Sequence, residues 1–172
     1  MIGPILTFVQ DFIKDHGCPK EILEVGSRNV NGAVKQFFID SSSYIGVDLE
    51  AGDGVDITMD AENLLERFSP ESFNAVICLE TLEHTKNPLK IVDNMRKILR
   101  PGGWMIISTP GTEHPQHNWP QDYYRFFEST YQDVFFEGFI NCSFHTLIWP
   151  SSLVSQPNTL YPCAVMGYGQ KP

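Results

Sequence analysis

Glu21-Ile-Leu-Glu-Val-Gly-Ser-Arg-Asn-Val-Asn-Gly32 decides the fold: a short apolar run stops at Gly26 and gives way to a polar stretch. Such a run, closed by glycine, predicts a buried strand, a tight turn, and then a helix whose N-terminus faces a ligand. About 20 residues further on, the usual separation between such a turn and an acid that holds a ribose, Tyr44-Ile-Gly-Val-Asp48 repeats the apolar pattern and ends in a carboxylate. In an open parallel sheet the ligand lies outside the carboxyl ends of the strands, where strand order reverses. The pair therefore marks a nucleoside pocket.

Working outward, the same alternation recurs. Downstream of Gly26, Asn31 is placed to cap a helix that buries Val34, Phe37 and Phe38. Ala51-Gly-Asp-Gly54 is a turn cluster, and Val55 to Asp60 alternates as a short edge strand. Asp60-Ala61 closes that strand; Asp60 is either a second acid on the pocket rim or the cap of a helix from Ala61 to Phe68. Phe73 to Leu79 and Gly103 to Thr109 are nearly continuous apolar runs, as in central parallel strands covered on both faces. Between them Leu89, Val92, Met95, Ile98 and Leu99 follow helical spacing over Pro88 to Arg100, and Pro101-Gly-Gly ends the helix. Upstream, Ile5, Phe8, Val9, Phe12 and Ile13 predict a helix closed by Gly17 and Pro19. Near the C-terminus, Ser129 to Gly138 predicts a helix, and Phe139 to Trp149 with Tyr161 to Gly169 an antiparallel edge pair, since Pro150 to Pro162 is too short and too broken for a crossover helix. The fold class expected is α/β: a doubly wound, seven-stranded, mostly parallel sheet with an antiparallel last strand and helices on both faces. Residues 1–172 are expected to form one domain.

Composition narrows the partners. A hydrophobic content of 42% over 172 residues is enough to cover both faces of such a sheet. A net charge of −9 supplies no basic footprint, so nucleic acid is a poor candidate partner. The cysteines at 18, 78, 142 and 163 form no Cys-x-x-Cys pair and no ligand grouping with histidine, and are read as reduced thiols of a cytoplasmic protein. Met1 to Lys14 has no basic leader and no bilayer-length apolar run, which argues against a membrane address.

Taken together, Glu24-Val-Gly26, Asp48, Asp60-Ala61, Leu79-Glu-Thr-Leu-Glu-His84 and Leu99-Arg-Pro-Gly-Gly103 fall in the order and spacing of class I S-adenosylmethionine-dependent methyltransferases, and the chain resembles the broad group called methyltransferase type 11. One departure stands out: Arg28 occupies the place of a usual second glycine, and the next glycine is delayed to Gly32. The resemblance implies S-adenosylmethionine as cofactor. It implies that Asp48, followed by Leu49, accepts hydrogen bonds from both ribose hydroxyls, and that Asp60 takes the adenine amino group, with the Ala61 amide near a ring nitrogen. It further implies that backbone around Gly26 and Ser27 meets the methionine portion, with Glu24 orienting that loop or its amino group, and that Leu79 and Glu80 lie beside the sulfonium. For each acid the alternative is a solvated surface carboxylate. A dinucleotide would need the Gly-x-Gly-x-x-Gly turn for its pyrophosphate, and Arg28 and Asn29 stand there instead.

The activated methyl carries its own leaving group, so positioning supplies most of the catalysis. Where the acceptor must lose a proton, a base helps, and histidine as a residue type suits that task; His84, His114 and His117 each fall at or just after the carboxyl end of a strand. Glu83-His84 also reads as the start of a turn. His114 and His117 have ligand-like spacing, but no cysteine is near and only Glu113 and Asp122 are local carboxylates, so no metal is expected. His117 to Phe127 resembles a His-x-x-Pro-x-Asp-Tyr-x-Arg-Phe stretch that lies beside the pocket in the same group, where Trp119, Tyr123 and Tyr124 would wall the substrate or simply pack. After the fourth strand the Pro-Pro-aromatic signature of DNA amino-methyltransferases is missing. The expected acceptor is a small molecule or sugar-like group, reached through an open pocket, one completed by the loop from Pro110, or one closed by a second copy or partner subunit. The competing expectation is a subunit that binds S-adenosylmethionine or S-adenosylhomocysteine without catalysis.

Overall fold

The computed structural model describes residues 3–117, 121–148 and 162–172. Among them seven strands form one sheet in the order β3-β2-β1-β4-β5-β7-β6. Strands β1 (Glu21–Val25), β2 (Ser43–Asp48), β3 (Ile57–Thr58), β4 (Phe73–Leu79) and β5 (Leu99–Pro110) run parallel. Strand β7 (Pro162–Gln170) is antiparallel to β5, and β6 (Ile140–Ile148) pairs antiparallel with β7 at the sheet's edge. The expected doubly wound sheet with an antiparallel last strand is what forms. Strand order reverses between β1 and β4, which pair directly through Ile22↔Ala75 to Val25↔Cys78.

The strand alternation sorts side chains into two cores, as a period of two requires. On one face Ile22, Ala75, Ile77, Leu79, Ile106 and Met166 meet α1 (Gly3–His16) through Ile5, Phe8, Val9 and Phe12. On the other, Leu23, Val25, Val76, Cys78, Met105 and Ile107 meet α3 (Pro88–Ile98) through Ile91, Val92, Met95 and Ile98. Helices thus cover both faces. Leu89 is not part of this contact; it is exposed, because Pro88 fills the core-facing place in the first turn.

Five expected elements differ. No helix follows β1: residues 35–37 make only a 3-10 turn, so the turn at Gly26 does not feed a helix N-terminus. The cause is local. Asn29 Oδ1 accepts the Gly32 N–H at 3.0 Å, while its amide donates to Asp53 at 2.8 Å, and such side-chain bonds compete with helical ones. Val34 and Phe38 are buried all the same, reproducing helical spacing without a helix. Strand β3 shrinks to two residues because Asp56 replaces the ladder, its carboxylate accepting the Gly46 N–H at 2.7 Å and its own N–H donating to Gly46 O at 2.8 Å. Helix α3 stops at Ile98 rather than Arg100; Leu99 already belongs to β5 and pairs with Phe73. The predicted helix over 129–138 is a short turn, Glu128–Thr130, continued by a π-helical turn, Tyr131–Phe135. The segment from Ala61 is split too, into a 3-10 turn, Ala61–Asn63, and α2 (Leu64–Arg67).

Candidate functional site

The carboxyl ends of β1, β2 and β4 bring the predicted residues to one rim. Gly26 turns with φ +76°, and both its N–H and that of Ser27 donate to Val47 O at 2.9 and 3.1 Å. A Cβ on Gly26 would lie 2.0 Å from Thr81 Oγ1, so the glycine is needed both for its dihedral and for the close seat of Thr81. Ser27 is buried, and its Oγ has no hydrogen-bond partner among the described residues.

Asp48 spans the β1 and β2 loops. Its Oδ2 accepts from the Arg28 N–H at 3.2 Å and its Oδ1 from the Glu50 N–H at 3.1 Å, which orients the carboxylate at the rim. The Arg28 guanidinium pairs with the Glu50 carboxylate across the same loops. Close approach here depends on glycines the first turn does not contain. A Cβ at Gly46 would sit 2.5 Å from Ser27 Oγ, and one at Gly54 2.6 Å from Ser27 O. The second glycine missing from the first loop is thus offset by Gly46 in β2 and Gly54 in the loop after it. Leu49 is exposed next to Asp48.

Asp60 is exposed and its Oδ1 accepts the Glu62 N–H at 2.8 Å. It therefore caps the turn that Ala61 begins through that one oxygen, one of the two roles the sequence left open. Glu24 lies inside the sheet's α1 face, 5% exposed, and accepts from the Tyr44 hydroxyl at 2.7 Å. Burial pushes its carboxyl up to about 7 despite that bond. Leu79 is buried in the same core.

Glu80 adopts a left-handed backbone, φ +50°, directly after β4. For a residue with a Cβ this conformation costs on the order of 1 kcal/mol. Two contacts hold it: its N–H donates to Ser108 O, and Ser108 Oγ donates to its Oε1, both at 2.9 Å. Burial raises the Glu80 carboxyl above the usual carboxylate range.

The histidines assemble beside it. His84 Nε2 lies 3.1 Å from His117 Nε2, and the rings of His114 and His117 are 5.6 Å apart. The three candidate bases are therefore neighbours, although His84 comes from the turn after β4 and the others from the loop after β5. His84 Nδ1 is 3.0 Å from the Gln121 carbonyl, and burial lowers its pKa. Tyr123 and Tyr124 are partly exposed nearby; the Tyr123 N–H donates to Glu83 O and the Tyr124 hydroxyl to Lys86 O. Trp119 lies outside the described residues.

Sequence reading passed over three groups. Glu83 is completely buried, with neither carboxylate oxygen hydrogen-bonded among the described residues; burial, then the neighbouring Glu80, push it well above the usual carboxylate range. Asp122 and Arg125 form a two-pronged pair, each prong 2.6 Å, and Asp122 also accepts the His117 N–H at 2.9 Å. Arg125 holds the Asp122 carboxyl down at about 2. Arg125 further donates to the His114 and Pro115 carbonyls, so this pair ties the 114–117 segment to 121–125. The Asp-x-x-Arg spacing signalled this clamp. The expectation of no metal considered His114 with His117; the structure instead groups His117 with Glu83 and His84, whose ligand atoms all lie within 4.8 Å of one another. All four cysteines are free, and among the described residues no helix is long and apolar enough to cross a membrane.

Comparison with known proteins gives a consistent result. Residues 3–141 match a family model described as a methyltransferase domain. The ubiquinone biosynthesis O-methyltransferase of Paraburkholderia xenovorans is 34% identical over 101 residues, which cover 56% of this chain and 43% of that protein. The chain thus matches less than half the length of these curated relatives. Among solved structures, a SAM-dependent methyltransferase from Archaeoglobus fulgidus superposes with a TM-score of 0.69 at 13% identity, covering 96% of this chain and 94% of that one. The 1,6-didemethyltoxoflavin-N1-methyltransferase of Burkholderia thailandensis, solved with bound 1,6-didemethyltoxoflavin and S-adenosylhomocysteine, also gives 0.69, at 15% identity over 99% of this chain and 78% of that one.

Proposed function

We propose, from the premise that this chain belongs to the methyltransferase-domain family, that it moves the methyl group of S-adenosylmethionine to an oxygen of a small-molecule or sugar-like acceptor by in-line displacement. The 172 residues act as one such domain, in the reducing setting that four free cysteines suit. The observation that carries the reading is the convergence of Gly26, Ser27, Asp48 and Glu80 at the carboxyl ends of the strands that flank the reversal between β1 and β4, with three histidines beside them. The name of the Paraburkholderia relative supports an oxygen acceptor.

Asp48, already oriented by two backbone N–H groups, takes the ribose hydroxyls; a carboxylate has acceptor capacity left after accepting both. Leu49 lies beside the nucleoside, and Asp60 with the Ala61 amide meets the adenine edge. Ser27, whose buried hydroxyl awaits a partner, and Gly26 meet the methionine portion. Glu24 stiffens the strand beneath them through Tyr44. Leu79 and Glu80 flank the sulfonium. As the acceptor oxygen forms its bond to the methyl carbon, the carbon–sulfur bond breaks and S-adenosylhomocysteine leaves neutral. The hydroxyl proton passes to an imidazole of the His84, His114 and His117 group.

A methyl-release assay over pooled hydroxylated metabolites and glycans tests the reading. Turnover is expected, and His117→Ala is expected to slow it by ~100-fold while changing cofactor affinity little. A second reading, a subunit that binds the cofactor without turning it over, draws on Arg28 standing in the first turn, paired with Glu50 of the facing loop. Tight cofactor binding with no methyl release from any acceptor would favour it.

A further inference from the structure

Ligand atoms from three side chains converge just beyond β4. Glu83 Oε1 lies 3.4 Å from His84 Nε2, and His84 Nε2 lies 3.1 Å from His117 Nε2. The partner of its other ring nitrogen assigns the His84 tautomer. His84 Nδ1 faces the Gln121 carbonyl at 3.0 Å, and a carbonyl can only accept, so Nδ1 carries the proton and Nε2 the lone pair. His117 Nδ1 lies 3.3 Å from Asp122 Oδ2 without a hydrogen-bond partner among the described residues, while Asp122, clamped by Arg125, accepts the His117 backbone N–H at 2.9 Å and so seats the residue. The His84 lone pair then points at His117 Nε2 across 3.1 Å, an approach that a cation between the two rings, or a proton on one of them, holds together. The third group is a carboxyl with no other use: Glu83 is 0% exposed and neither of its oxygens has a hydrogen-bond partner among the described residues. Buried carboxylates are paired or coordinate metals.

We propose that Glu83, His84 and His117 hold a divalent transition-metal ion, zinc by preference, with the Gln121 carbonyl fixing the His84 imidazole and Asp122 seating the His117 backbone. Zinc bonds of about 2.0–2.2 Å in tetrahedral array place ligand atoms about 3.3 Å apart, and two edges of the present triangle measure 3.1 and 3.4 Å. The contact of His84 Nδ1 with the Gln121 carbonyl is of the kind that metal-binding histidines make through their second nitrogen. Two histidines and one carboxylate leave a fourth position open, the pattern of a reactive rather than a purely structural ion.

The metal site does not depend on the methyl-transfer reading, but its use does. On that reading the open position takes the acceptor oxygen and lowers the pKa of its hydroxyl. His84 and His117 are then ligands, and His114, its Nδ1 turned to the Pro115 carbonyl at 2.9 Å, is the imidazole left to receive the proton.

Chelator-stripped full-length protein, titrated with Zn2+ against a chromogenic chelator and with Co2+ under visible absorption, tests the site without any turnover. One Zn2+ per chain and a tetrahedral-type Co2+ spectrum are expected. His84→Ala and His117→Ala should each weaken Zn2+ by more than ~100-fold, and Asp122→Asn by ~10-fold. Cys142→Ser, which alters an exposed thiol, should bind as wild type does. Because Glu83 and His84 are packed inside, the partly exposed His117→Ala variant, checked for folding by circular dichroism, carries the decision if the others misfold. No Zn2+ binding by wild type, an unchanged affinity in folded His117→Ala, or loss confined to Cys142→Ser would overturn the proposal. A proton shared between the two imidazoles would then account for their approach.

Discussion

Replacing Glu24 by glutamine should make the protein more stable at alkaline than at acidic pH, relative to wild type. The carboxyl sits in the α1-facing core with the Tyr44 hydroxyl as its hydrogen-bond donor, and burial raises it from an ordinary 4.5 to about 7. The sign follows from linkage. Between those two values the folded chain keeps a proton that the unfolded chain has released, so stability from this group is complete below the unfolded pKa and is lost as pH rises through about 7. At about 1.4 kcal/mol per pH unit the full loss is about 3 kcal/mol, most of it between pH 5 and 8. Glutamine keeps an oxygen for Tyr44 and cannot ionise. Urea denaturation of both proteins across that range is the assay: the stability of Glu24→Gln relative to wild type should rise by about 2 to 3 kcal/mol from pH 5 to pH 8. A constant difference would refute the buried-carboxyl account, and a difference of opposite sign would mean that Glu24 is ionised and paired in the folded chain.

Two further outcomes follow from packing. Gly26→Ala forces a left-handed alanine whose Cβ meets Thr81 Oγ1 at 2.0 Å; it should destabilise by ~2 kcal/mol and abolish cofactor binding in a titration. Adding Thr81→Ala should not rescue it, because Thr81 Cβ itself lies 2.7 Å from that position. Tyr131→Phe removes a buried hydroxyl that bonds Thr109 Oγ1 at 2.8 Å and Val165 O at 2.9 Å, and should lower stability by ~1–2 kcal/mol in urea; an unchanged midpoint would show that the pair contributes nothing net.

The sheet was legible because its central strands are apolar runs bounded by glycine, proline or acids: β1 and β4 lie within the predicted bounds, and the turn at Gly26 has the positive φ that only glycine takes easily. The helix expected after Gly26 was not, because burial of Val34 and Phe38 four residues apart looks the same from a loop as from a helix, and Asn29 had side-chain bonds to offer instead. The rim acids were found by position after strands, which sequence displays. Their occupation was legible only where it is local: the Asp60 cap rests on Glu62, two residues on, whereas the tie that Asp48 makes to Arg28 depends on a residue 20 positions away. The grouping of Glu83 and His84 with His117, 33 residues away from His84, was hidden for the same reason. Spacing along the chain reports a local pair such as His114 and His117, whereas the sheet decides which loops actually meet.

The most direct test of the account is a calorimetric titration of wild type and Asp48→Asn with S-adenosylmethionine, S-adenosylhomocysteine and NAD. Wild type should bind the first two and not NAD, and Asp48→Asn, which retains an oxygen for the loop N–H groups, should lose at least ~10-fold in affinity for both. Binding of NAD alone, or equal affinity in the two proteins, would contradict the assignment of this rim as a nucleoside site for S-adenosylmethionine.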